Sequence, residues 1–133
     1  MELSLSNNEI NRLIEQAREG MSHSYAPYSG FHVGAALKTA DGKIFTGCNI
    51  ENASYGDTIC AERTAIFKAV SEGCRELTDI AIVCSGDRFP YPCGMCLQVM
   101  AEFMPQGRVH VANGDEVRTF TVSELLPQAF HME

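Results

Sequence analysis

Cys60-Ala61-Glu62-Arg63, with Cys93-Gly94-Met95-Cys96 arriving 31 residues after Glu62 and Pro92 in front of it, is the stretch on which the reading of this chain turns. It offers three thiols and one carboxylate that the ligand set does not need. Zinc held by three protein side chains keeps a fourth position for water and makes that water a nucleophile at neutral pH, whereas a structural zinc closes with four ligands. Glu62, two residues after the first thiol, supplies the acid–base group such chemistry requires. Alone, Cys93-x-x-Cys96 fits a redox pair or two buried cysteines just as well. Cys60-x-Glu62 gives it a catalytic meaning.

Around that stretch, 133 residues at 45% hydrophobic content predict one domain, residues 1–133, with a true core. Ten basic and seventeen acidic side chains leave a net charge of −7. Nucleic-acid polymers are held by Lys and Arg on phosphates, so this balance argues against one and for a small neutral ligand. No apolar run approaches the roughly 18 residues of a membrane span, and no basic-then-apolar leader precedes the first helix. The expectation is a cytoplasmic protein with no membrane partner. Its thiols are then reduced. Cys48 and Cys84 read as small buried hydrophobes, Cys74 as a loop residue, and His23, His32, His110 and His131 as surface or loop histidines.

Ser6 and Glu9 form a capping box, and Ile10, Leu13, Ile14, Ala17 and Met21 recur at helical spacing, so a helix runs to about residue 20–24. Residues 31–37 and 44–50 read as strands joined across Asp41-Gly42. Asp57 or Thr58 caps a helix that Gly73 stops. Residues 80–84 form an unbroken apolar run, a strand buried on both faces. Pro92 suits the first turn of the next helix. Residues 109–112 and 117–121 make a second hairpin, and Ser123 opens a short last helix. Strands alternating with helices predict a layered α/β sheet.

The two cysteine segments resemble the signature of the zinc-dependent cytidine deaminases, His or Cys-x-Glu followed by Pro-Cys-x-x-Cys. The likeness extends to residues 24–29 (SYAPYS), 31–37 (FHVGAAL), 47–55 (GCNIENASY), 60–65 (CAERTA) and 124–130 (ELLPQAF), nearly the whole chain. It is closest to the small homotetrameric type that acts on free nucleosides. The resemblance implies a three-layer α/β/α fold with a mixed five-stranded sheet. It implies zinc on Cys60, Cys93 and Cys96, and Glu62 as the catalytic proton carrier. The reaction implied is hydrolytic deamination of cytidine and 2′-deoxycytidine to uridine and 2′-deoxyuridine, as in pyrimidine salvage.

The same resemblance assigns Arg63 to the thiolate charge, Asn49 and Glu51 to the ribose, and Phe31 to the base. If the second strand continues to residue 51, Asn49 and Glu51 point the same way. Backbone groups at Ala61 and Tyr91 would orient the pyrimidine. Ala53, Tyr55 and Phe130 would complete sites shared between subunits of a tetramer. The chain departs from the family after its last ligand, where Leu97 stands in place of an arginine. Two other readings are a same-fold deaminase of a modified cytosine nucleoside, such as blasticidin S or an N4-substituted cytidine, and a non-enzymatic zinc or redox module. Glu62 has no purpose in the latter.

Overall fold

The Ser6 hydroxyl accepts from the Glu9 N–H at 3.2 Å and Glu9 Oε1 accepts from the Ser6 N–H at 3.0 Å. The predicted capping box thus opens the first helix of this computed structural model, which describes residues 4–132. Residues 1–3 and 133 of the expected 1–133 unit lie outside the described residues. The elements run α1 (Asn7–Met21), β1 (Val33–Thr39), β2 (Ile44–Cys48), a 3₁₀ turn (Tyr55–Asp57), α2 (Ala61–Ser71), β3 (Leu77–Cys84), α3 (Gly94–Phe103), β4 (Arg108–Asn113), β5 (Glu116–Thr121) and α4 (Val122–Leu125).

The strands form one sheet in the order β2-β1-β3-β4-β5. β3 and β4 are parallel, joined through α3, and the other pairs are antiparallel. Alternation along the strands sorts the core into two faces. Ala35, Leu37, Ile80, Ile82, Val109 and Val111 meet Ala61, Ala65 and Ile66 of α2, Leu97 and Met100 of α3, and Val122 of α4. Ala36, Ala81, Val83 and Ala112 meet Leu13, Ile14 and Ala17 of α1. The result is the expected three-layer α/β/α fold with a mixed five-stranded sheet.

Several local expectations change. Asp57 belongs to the 3₁₀ turn and Thr58 follows it, so α2 is capped by Cys60 instead. Pro92 stands outside α3, whose N-cap is Cys93. Thr121, not Ser123, caps α4, through a second capping box with Glu124. The first strand begins at Val33 rather than residue 31, and the second ends at Cys48, with Ile50 joined only by isolated bridges. His110 is no surface histidine. It is 1% exposed, with Nε2 at 2.8 Å from Asp79 Oδ2 and Nδ1 at 2.8 Å from Thr119 Oγ1. Arg108 bonds the same carboxylate from its Nε at 3.1 Å.

Gly47 places α2. A Cβ there would lie 2.4 Å from the Ala61 carbonyl oxygen and 2.6 Å from the Ala65 nitrogen, both backbone atoms that no rotamer change can move. Its absence lets the helix backbone rest on β2, where Thr64 Oγ1 also donates to the Cys48 carbonyl at 3.1 Å. Gly47→Ala is expected to destabilise the protein by about 3 kcal/mol, the upper range for overpacking. Urea denaturation checks this. A loss under about 0.5 kcal/mol would mean the contact does not seat the helix.

Candidate active site

Cys60 and Cys93 are the N-cap residues of α2 and α3, and Cys96 lies three residues into α3. An N-cap position brings a side-chain acceptor to the unpaired N–H groups and positive dipole end of its helix, a setting that favours thiolate over thiol. Neither capping cysteine spends its sulfur on a capping bond to its own helix, and the two sulfurs approach each other. The three sulfurs lie within 4.8 Å of one another, and those of Cys60 and Cys93 are 3.9 Å apart. Zinc–sulfur bonds of about 2.3 Å in a tetrahedron set sulfurs about 3.8 Å apart, while a disulfide needs about 2.05 Å. The donor set fits zinc. All six cysteines are free, and no other such ligand cluster occurs among the described residues.

The electrostatics follow from crowding three thiols together. The Cys96 thiol donating to Cys60, with the Arg63 guanidinium beside it, brings the Cys60 thiol down to about 5. Cys96, the donor of that pair and buried, is pushed up. Arg63 Nη2 approaches Cys60 Sγ at 3.4 Å, and its buried Nε has no hydrogen-bond partner among the described residues. Leu97, next to Cys96, is buried in the apolar core and brings no charge. Glu62 is 5% exposed. Burial first, and then the neighbouring Cys60 charge, push its carboxyl up to about 7.

Beside the sulfurs opens a cavity of about 420 Å³. Phe31, Asn49, Ala61, Glu62, Tyr91 and Cys93 line it, as do Thr58, Arg88 and Phe89. Asn49 is held firmly: Oδ1 accepts from the Val33 N–H at 2.9 Å and the Ser24 hydroxyl at 2.5 Å, and Nδ2 donates to the Phe31 carbonyl at 2.8 Å. Glu51 does not stand beside it, because the strand ends at Cys48. Its carboxylate accepts from the Tyr28 N–H at 2.9 Å, the Ser29 N–H at 3.1 Å and the Ser29 hydroxyl. It lines a second groove, of about 320 Å³, with Tyr28 and Tyr55. The two cavities share Thr58.

Ala53 is exposed, Tyr55 is 81% exposed and Phe130 is 70% exposed; none of them lines the main cavity. Of the wall at residues 88–91, the sequence pointed to Tyr91 but not to Arg88, Phe89 or Pro90. There the Arg88 guanidinium lies 4.4 Å from the Phe31 ring centre, and Arg118 of β5 lies 3.9 Å from that of Phe89. Arg118 Nη1 also donates to the Tyr91 hydroxyl at 2.8 Å. Strand pairing, not spacing, brings these groups together, so no local signal announces them.

Residues 7–112 match the model of the cytidine and deoxycytidylate deaminase zinc-binding region. A cytidine deaminase of Halalkalibacterium halodurans is 56% identical over 124 residues, 91% of this chain and 93% of that protein. The crystal structure of a Burkholderia pseudomallei cytidine deaminase superposes with a TM-score of 0.88 at 47% identity, covering 95% of this chain and all of the other. A blasticidin-S deaminase of Bacillus cereus is 35% identical over 128 residues, 86% of this chain and 87% of that protein. With its three-thiol centre and buried glutamate in the matching region, the chain belongs to the cytidine and deoxycytidylate deaminase family.

Proposed function

We propose that this protein catalyses the hydrolytic deamination of cytidine and 2′-deoxycytidine, releasing ammonia and the corresponding uracil nucleoside. The observation that carries this reading is Glu62, a buried carboxyl facing a nucleoside-sized cavity beside three converging sulfurs. Cys60, Cys93 and Cys96 would hold zinc, which when bound acidifies water enough for attack at neutral pH. Glu62 takes a proton from the attacking water and passes it to ring N3 as C4 becomes tetrahedral. It then carries a proton to the departing amine, so one residue serves as base and then as acid. Arg63 offsets the thiolate charge.

Phe31 lies beside the base, and backbone groups of Ala61 and Tyr91 orient it. Asn49 and Glu51, on adjoining cavities, bind the ribose. Ala53, Tyr55 and Phe130 reach from neighbouring subunits of a homotetramer, a reading supported by the exposure of both aromatics and by their absence from the lining of the main cavity. We place the activity in one domain spanning residues 1–133. Six free cysteines suit a reducing compartment, the cytoplasm, and the role there is pyrimidine salvage. Among the described residues no helix is long and apolar enough to cross a membrane. The second substrate reading, a modified cytosine nucleoside, has the likeness to blasticidin-S deaminase in its favour; Asn49 and Glu51 favour the plain nucleoside.

A substrate panel separates these readings. Cytidine and 2′-deoxycytidine should be deaminated with kcat/KM at least about 10²-fold above free cytosine, since a site built for hydroxyls rejects a substrate lacking them. Equal turnover of cytosine would refute the ribose assignment, and faster turnover of blasticidin S would replace the substrate.

Glu62→Gln chains should keep about one zinc each yet lose at least about 10³-fold in turnover. Reassembled with poorly active Tyr55→Ala chains, they should regain part of the activity, because some sites then draw both intact parts from different chains. A Glu62→Gln protein within threefold of wild type would remove the proton-carrier role, and mixtures no better than their components would remove the shared site.

A further inference from the structure

Gln98 lies on α3 two residues past Cys96, and its side chain bonds the segment that follows α4. Its Nε2 donates to the Phe130 carbonyl at 2.9 Å, and its Oε1 accepts from the Phe130 N–H at 3.2 Å. One carboxamide thus satisfies both polar groups of a single residue 32 positions away, as a neighbouring strand would. On the inner side, Leu125, Leu126 and Ala129 pack against the core. The segment after α4 is therefore fixed by apolar anchors and then by this clamp, and Phe130 projects from it with 70% of its surface exposed. Ordering an exposed segment costs conformational entropy, and an exposed aromatic gains nothing for its own subunit from being held.

We infer that Gln98 is a positioning residue for substrate binding: it holds the Phe130 ring at a fixed offset from the helix that carries Cys93 and Cys96. This rests on the deaminase reading, in which Phe130 covers the base in a neighbouring subunit's cavity. A ring already fixed in place loses less freedom when ligand arrives than one on a loose tail. Phe130 has no proton to give or take, so its contact is made alike with substrate and transition state. Loss of such uniform binding raises KM and spares kcat.

The chain contains no tryptophan, so Phe130→Trp introduces a single fluorophore at the position in question. In that background Gln98→Met, which keeps length and shape but neither hydrogen bond, should lower the fluorescence anisotropy and increase acrylamide quenching in the assembled protein. With Phe130 intact, Gln98→Met should raise KM for cytidine about tenfold while kcat changes less than about threefold and zinc content is unaltered. Unchanged anisotropy and quenching would overturn the clamp. A freed fluorophore with unchanged KM, or a fall confined to kcat, would overturn its role in binding. Wild-type protein without cytidine turnover would refute the deaminase reading and the substrate half of this inference, while the fluorescence comparison still decides whether Gln98 holds residue 130.

Discussion

Three sulfurs meet because two helices begin at the same edge of the sheet. β2 and β3 each pair antiparallel with β1, which lies between them, so the two run in the same direction and end on one edge. The helices that follow them, α2 and α3, both pack on the same face and both start at that edge. Cys60 and Cys93 are the capping residues at those starts. Gly47 lets α2 rest its backbone on β2, and the parallel pairing of β3 with β4 fixes α3 between them. Everything chemical in the molecule depends on this coincidence of helix starts.

The same arrangement settles the charge. Thiolates crowded within 4.8 Å repel one another, and the structure counters this with two helix N-termini and one guanidinium, Arg63. Leu97, beside Cys96, is buried hydrocarbon and adds no charge here, while Arg63 contacts Cys60 directly. Less neutralised thiolates donate more charge to a metal, which moderates its pull on water. Glu62, one residue from Arg63 and two from Cys60, is buried in the wall of the cavity. Burial first, and then the Cys60 charge, hold a proton on a carboxyl so placed more tightly than on an exposed one.

Much of this is legible in the chain because it is local. Cysteine spacing, the Ser6–Glu9 box, the turn at Asp41-Gly42 and the apolar run at residues 80–84 each carry their own signal within a few positions. The errors share a cause. Asp57 and Thr58 look like helix caps by residue type, but the chain spends them on a 3₁₀ turn, and a cysteine, a poor capping residue by propensity, takes the place because convergence of the sulfurs demands it. His110 reads as a surface residue until β3 and β4 pair and bring Asp79 to it from 31 positions away. Asn49 and Glu51 alternate as strand neighbours would, but the strand has ended, and they face different cavities. The clasp of Arg118 on Tyr91 and that of Gln98 on Phe130 span 27 and 32 positions and exist only in the folded chain.

The most direct measurement is zinc K-edge X-ray absorption on the purified protein. About one zinc per chain is expected, with three sulfurs near 2.3 Å and one lighter atom completing a four-coordinate shell. Four sulfurs would contradict it, because a closed shell leaves no place for water and no work for Glu62.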